Sequence, residues 1–250
     1  MTVLIDASQV FMAHVDSWQA QGRLREPYGG GTAEFAGWKL MASGLGYSYL
    51  NAACVTDPAL ADIDEAREWY RSRNLAWGTL VPAGSAWPHG QLLLTLRLMA
   101  VKAAAFSKAA VPSGCVLRQA GRGDIEVVAA IDAGAFGSGV AEGRSWLEPL
   151  CVSDGAKVAI GELDGLPVAT GYALRCDGDA GLSVYLGGIA VLPAARQRGI
   201  AAALSSWLLA PGFEAGARFA HLQTDSKGAA RVYERLGFEE FSGIDIYDGQ

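Results

Sequence analysis

Residues 182–191 are rich in apolar and β-branched side chains and read as a strand that ends at Leu192-Pro193. The chain then passes through Ala194-Ala195-Arg196-Gln197-Arg198-Gly199 into an Ala- and Leu-rich stretch predicted as a helix from Gly199 to Leu209, with Pro211-Gly212 as its expected stop. A strand that feeds a helix through a short, glycine-bearing turn commits this half to layered α/β packing. Its small residues let the backbone pass close to a ligand, so several peptide N–H groups can converge on one anion at the positive end of the helix dipole. Arg196 and Arg198 add formal charge, and a diphosphate fits that description. A solvated basic turn is the plainer alternative.

The rest of the second half alternates in the same way. A strand is predicted at 115–119 and a helix at 124–134 with Asp124 as N-cap, then a short helix around Trp146. Strands at 157–163 and 167–175 are joined by the hairpin signal Asp164-Gly165, and a second hairpin turns at Asp177 to Gly181. After the helix that opens at Gly199 come a strand at 218–224, a helix at 227–236 ended by Gly237, and short strands at 238–241 and 244–247.

For the first half, helices are expected at 6–20, 32–42, 62–73 (N-capped by Asp62) and 89–98, and strands at 47–56, 75–81 and 100–106. Val111-Pro112-Ser113-Gly114 then reads as a linker. At an offset of 136, Tyr49-Leu50 falls on Tyr185-Leu186 and Val55 on Val191, and Asp57-Pro58 lies close to the counterpart of Leu192-Pro193. At an offset of 138, Arg97-Leu98 falls on Arg235-Leu236. The first half therefore reads as a worn copy of the second, which gives two domains, 1–110 and 112–250. The expected class is α/β (α+β), a mixed, mostly antiparallel sheet flanked by helices, with a second, smaller and degenerate α/β domain.

Composition narrows the chemistry. With 51% hydrophobic and 18% charged residues the chain can bury a large core, and no uninterrupted apolar run is long enough to span a membrane. Met1 to Asp6 show no basic stretch ahead of an apolar core, so no secretory leader and a cytoplasmic location are expected. Cys54, Cys115, Cys151 and Cys176 form no C-x-x-C pair and are expected as free thiols, and His14, His89 and His221 lack ligand spacing, so no metal is expected. Residues 1–110 carry 9 basic and 9 acidic side chains, whereas 111–250 carry 11 and 17. That acidic second half weighs against nucleic acid and allows a cationic amine as partner.

The turn after the strand, R-x-x-G-x-A from Arg196 to Ala201, resembles the acetyl-CoA signature of the GNAT superfamily of N-acetyltransferases, and the element order of 112–250 resembles that fold. A second segment, Ala229-Ala230-Arg231-Val232-Tyr233-Glu234-Arg235-Leu236-Gly237-Phe238, resembles the family's later signature, in which a helical tyrosine precedes a Gly-Phe pair. The resemblance implies an N-acetyltransferase that takes acetyl-CoA as cosubstrate and passes its acetyl group to a primary amine by direct attack in a ternary complex. By the same resemblance the backbone of Ile189, Ala190 and Val191 holds the pantetheine arm. Gly187-Gly188 ease the strand distortion this needs.

The N–H groups of Gln197, Arg198, Gly199, Ile200 and Ala201, with Arg196, would hold the pyrophosphate. Tyr233 would act as general acid toward the departing thiolate. Ser226 stands where the family often has asparagine, so its cofactor contact departs from the pattern. Residues 183–188 offer no carboxylate as general base, which leaves a water relay or the candidates Glu142 and Glu148, both otherwise solvated surface residues. In the first half the corresponding turn reads Ala59-Leu60-Ala61-Asp62-Ile63-Asp64-Glu65, whose carboxylates would repel a diphosphate. The alternative to an enzyme is a non-catalytic acyl-CoA-binding or partner-binding module.

Overall fold

The computed structural model describes residues 5–249; Met1 to Leu4, on which part of the leader expectation rests, lie outside the described residues. In chain order the elements are α1 (Ala7–Leu24), β1 (Gly31–Phe35), β2 (Trp38–Ala42), β3 (Ala52–Val55), α2 (Ile63–Arg71), β4 (Gly78–Pro82) and β5 (Leu92–Lys102). They continue as β6 (Cys115–Gln119), α3 (Ile125–Phe136), α4 (Val140–Cys151), β7 (Ala156–Leu163), β8 (Leu166–Cys176) and β9 (Ser183–Val191). The last are α5 (Ile200–Glu214), β10 (Phe219–Thr224), α6 (Lys227–Glu234) and β11 (Glu239–Asp248). All strands join one 11-stranded, mostly antiparallel sheet in the order β1-β2-β3-β4-β11-β5-β10-β9-β8-β7-β6.

Two parallel pairs break the antiparallel pattern. β3 runs parallel to β4 with α2 as crossover, and β9 runs parallel to β10 with α5 as crossover. The last strand of each half pairs with the other half: β5 lies between β10 and β11, and β11 lies between β4 and β5. The sheet is therefore laid out in a similar sequence outward from the β11–β5 pair.

Alternation along β9 sets the layers. Val184 and Leu186 pack with Leu204, Leu208 and Tyr233 on the α5–α6 face, while Tyr185 points to the opposite face, among Tyr172, Leu147 and Val128. α1 crosses that second face and packs on β8, β9, β10 and β5. Trp69 and Tyr70 of α2 cluster with Trp38, Trp77 and Trp87 in a buried core.

Several local expectations are corrected. Residues 32–42 form the β1–β2 hairpin and not a helix: Gly37 adopts φ 79 between the two strands, and a methyl group there would lie 2.5 Å from the Asp57 carbonyl oxygen. The leucine-rich run expected as a helix at 89–98 is the start of β5, which absorbs the strand expected at 100–106. Pairing on both sides, with β10 and β11, overrides its helical propensity.

The strand expected at 47–56 is confined to 52–55, because Ser48–Leu50 wind into a 3-10 turn. The two final strands are one, β11, with a bulge between Glu240 and Ser242. α5 runs through Pro211 to Glu214; the proline forfeits one i→i−4 bond, but its own carbonyl accepts from the Ala215 amide at 2.9 Å, and Gly216 at φ 93 follows the end.

Asp124 precedes α3 but makes no cap bond. Its carboxylate accepts from the Gly121 amide and from Arg118. Of the repeat anchors, Val55 and Val191 both close the first strand of a parallel pair. Arg97-Leu98 lie in β5 whereas Arg235-Leu236 follow α6, so that anchor joins unlike elements.

Candidate functional site

The pairing of β9 with β10 covers Phe219↔Ser183, Ala220↔Val184 and His221↔Tyr185 and stops there. Past Tyr185 the two strands diverge. On the other side β9 slips register against β8 between Thr170 and Tyr172, where Gly188 and Ile189 stand opposite Gly171 alone, next to the Gly187–Tyr172 pair, and Gly188 adopts φ 59. The distortion expected at this glycine pair is thus present. The Tyr172 ring occupies the space side chains would need: a methyl group on Gly187 would lie 2.5 Å from its ring and 2.6 Å from its hydroxyl.

The divergence opens a cleft of about 840 Å³. Its walls include Ile189, Ala190 and Val191 of β9, Ala135 and Phe136 of α3, and Ser226 and Tyr233 at the ends of α6. Its floor is the turn into α5, with Arg196, Gln197, Gly199, Ile200 and Ala201. Of the residues expected to hold the cofactor, all but Arg198 line the cleft; Arg198 is exposed, and Glu142 and Glu148 are not part of the lining.

The turn is shaped for an anion. Gln197 and Gly199 hold left-handed backbone at φ 64 and 79, and α5 starts at Ile200 with no side-chain cap. The amides from Gln197 to Ala202 have no acceptor among the described residues, and the next one, Ala203, donates to the Gly199 carbonyl at 3.1 Å. Converging N–H groups at a helix N-terminus are an anion site, and Arg231 and Arg235 on the facing wall add charge of the same sign. Arg196 takes a structural part: its Nε donates to the Val191 carbonyl and its Nη2 to the Ala135 carbonyl, each at 3.0 Å. This ties the turn to both walls.

At the corresponding turn of the first half, Asp62 caps α2 and accepts the Asp64 amide at 2.9 Å. That helix start is filled by its own carboxylate.

Tyr233 is 8% exposed, rests against Phe238 and faces the cleft from α6. Burial pushes its phenol well above the usual value, so it stays protonated. Ser226 lines the cleft and caps α6, its Oγ accepting from the Ala229 amide at 3.3 Å. The hydroxyl proton is left to donate.

The two glutamate candidates are engaged elsewhere. Glu142 accepts from the Tyr49 hydroxyl at the surface, and Glu148 pairs with Arg144 at 3.9 Å. Sequence reasoning passed over Asp132, one turn before Ala135 and Phe136 on α3. Half-buried, it has no hydrogen-bond or ion-pair partner among the described residues, and desolvation lifts its carboxyl to about 6. The signal was a carboxylate inside the apolar series Val128, Ala129, Ile131.

A family model described as Acetyltransferase (GNAT) family matches residues 128–238, the stretch that holds the splayed strand, the anion turn and Tyr233. This segment is a GNAT acetyltransferase domain.

The chain that carries this GNAT domain is an acyltransferase. Its fold is similar over nearly its whole length to a GCN5-related N-acetyltransferase from Kribbella flavida, with 20% identity, a TM-score of 0.71, and coverage of 98% of this chain and 96% of that one. A GCN5-related N-acetyltransferase from Sphaerobacter thermophilus (17% identity, TM-score 0.57, covering 85% and 76%) is also similar. So is a tandem GNAT protein from the clavulanic acid biosynthesis pathway (15% identity, TM-score 0.57, covering 85% and 78%). No curated protein matches this sequence. These likenesses concern the fold. Among the described residues no helix is long and apolar enough to cross a membrane.

Proposed function

We propose that this GNAT enzyme transfers the acetyl group of acetyl-CoA to a primary amine, with both bound in the cleft at once. The observation that carries the proposal is the run of partnerless amides from Gln197 to Ala202, which open into the same cleft as Tyr233. These amides would hold the pyrophosphate, with no side chain at Gly199 to crowd it. A methyl group there would meet only Pro112, at 3.7 Å.

The pantetheine arm would lie along Ile189, Ala190 and Val191, whose edge toward β10 has lost its strand partner. Ser226 would donate to the arm or its water. The thioester end then falls toward Gly187-Gly188, where a free N–H of the bulge would take the carbonyl oxygen as negative charge builds on it. Acetyl-CoA supplies the activated carbonyl carbon. The chain holds it beside the amine, keeps water out, and supplies a proton from the Tyr233 hydroxyl to sulfur as the C–S bond breaks. No nucleophilic cysteine is needed: Cys54 and Cys176 are buried, with thiols pushed well above their ordinary value.

We also infer that residues 1–110 are a degenerate copy of residues 112–250 that has lost its cofactor turn. Support comes from the two parallel pairs with helical crossovers, the exchange of β5 and β11, and the self-capped start of α2. Its service to the enzyme would be α1, laid across β8, β9 and β10 at the acceptor end.

The test is calorimetry with acetyl-CoA, followed by thiol release against a panel of amines. Micromolar binding with amine-dependent thiol release is the expected result. Absence of binding would remove the proposal, and binding without thiol release from any amine would reduce the cleft to a cofactor-binding module.

A further inference from the structure

Two elements continue inward from the cleft. Along β9, Ile189 to Val191 line it and Gly187-Gly188 lie next inward, under the Tyr172 ring. Along α3, Ala135 and Phe136 line it, and Asp132 lies one turn further in on the same helix face. The two paths run side by side, because α3 packs on both β8 and β9, and the Asp132 charge helps to raise the Tyr172 phenol. On the α4 side Asp132 faces Gly143, which presents no side chain: a methyl group there would lie 3.3 Å from Oδ2.

The charges around this carboxylate are committed. On α4, Arg144 pairs with Glu126 at 3.1 Å and with Glu148. Beyond Tyr172, the Arg25 guanidinium lies 3.8 Å over the Trp146 ring and donates to the Trp146 carbonyl at 2.7 Å. On β8 and β9, Tyr172 and Tyr185 present only phenols that burial keeps neutral. Desolvated and partnerless, a carboxylate is stabilised by a cation brought from outside.

We propose that Asp132 is the acceptor-side catalytic residue, which receives the primary ammonium of the acceptor and takes its first proton. This rests on the transfer reaction proposed above and assigns the base that the strand before the turn lacks. The protons balance as follows. R-NH3⁺ gives one proton to the Asp132 carboxylate, and the freed lone pair forms the C–N bond. As the C–S bond breaks, Tyr233 gives its proton to sulfur. The nitrogen then loses its second proton, which returns to Tyr233 through solvent, and Asp132 releases its own proton to water. The net change is one amide, one thiol and one proton. Such a site selects cationic amines over neutral nucleophiles such as alcohols.

The experiment uses the full chain, with cadaverine, L-lysine and kanamycin as probes. In carboxyl-¹³C spectra of aspartate-labelled protein, assigned through Asp132→Asn, an amine that occupies the site lowers the apparent pKa of Asp132, because ammonium stabilises the ionised form. Thiol release by Asp132→Asn falls at least tenfold in kcat/KM for any amine the wild type turns over, and the acidic limb of its pH profile disappears. Acetyl-CoA affinity by calorimetry is unchanged, and Asp132→Glu recovers part of the rate.

An Asp132 resonance indifferent to all three amines, or an Asp132→Asn enzyme with the wild-type pH profile, overturns the proposal. If acetyl-CoA binds and no amine releases thiol, the transfer reaction fails by itself, while the carboxylate signal still decides whether Asp132 holds an ammonium. Should Asp132→Asn not fold, the wild-type titration supplies the decision, with the most downfield-titrating aspartate assigned through Asp132→Glu.

Discussion

The Arg196 Nε donates to the carbonyl oxygen of Val191 at 3.0 Å, so the residue that opens the anion turn is tied to the last residue of the strand before it. A second bond from the same guanidinium reaches Ala135 on α3. Arg196 therefore fixes the width of the cleft entrance as much as its charge.

Arg196→Ala should loosen the turn. With two bonds to neutral carbonyls at an exposed site worth about 1 kcal/mol together, acetyl-CoA affinity should fall roughly fivefold. Arg196→Lys should rescue little, because an ammonium lacks the fork that spans Val191 and Ala135. Calorimetry on the three proteins checks this; equal losses of charge and affinity, with full rescue by lysine, would mean that charge alone matters.

Gly199→Glu places bulk and negative charge at the amide cluster and demands φ 79 of a residue with a Cβ. Acetyl-CoA binding should vanish. The backbone strain, roughly 1 kcal/mol, should cost only a few degrees of melting temperature. Wild-type affinity in this variant would show that the phosphates lie elsewhere.

The second half was legible because its signals are local. Asp164-Gly165 turns between β7 and β8 with φ 52 and 80, and the loop after β9 carries its own glycine and arginines. The first half misled where long-range pairing decided the outcome: nothing in the Leu92-Leu93-Leu94 run announces that β5 will leave its own half and enter between β10 and β11. Of the candidate site, the turn has backbone needs that leave a trace in sequence, while the strand and Tyr233 were reached through the resemblance of their segments to the GNAT signatures. Asp132 could not, since its significance comes from what surrounds it: Tyr172 from β8 and the empty flank at Gly143.

Tyr233→Phe removes the proton donor and keeps the ring packed on Phe238. Turnover should fall by about 10²-fold, the lower range for a general acid, while acetyl-CoA affinity stays within a factor of about two. Steady-state thiol release and calorimetry on the same preparation separate the two quantities, and an unchanged rate would strip Tyr233 of its role.

Asp132 should weaken the fold that it equips. Desolvation raises its carboxyl from an ordinary 3.8 to about 6, so the folded state binds a proton more tightly than the unfolded chain does. Below the unfolded value both states are protonated and no penalty exists. As pH rises through the folded value the penalty grows to its full size and stays there. With partial exposure taken into account, Asp132→Asn should gain about 1–2 kcal/mol of stability at pH 8 and nothing at pH 3.5. Denaturant unfolding of both proteins at the two pH values measures the difference. A constant offset would trace the gain to packing, and a loss at pH 8 would mean that the native carboxylate has a partner after all.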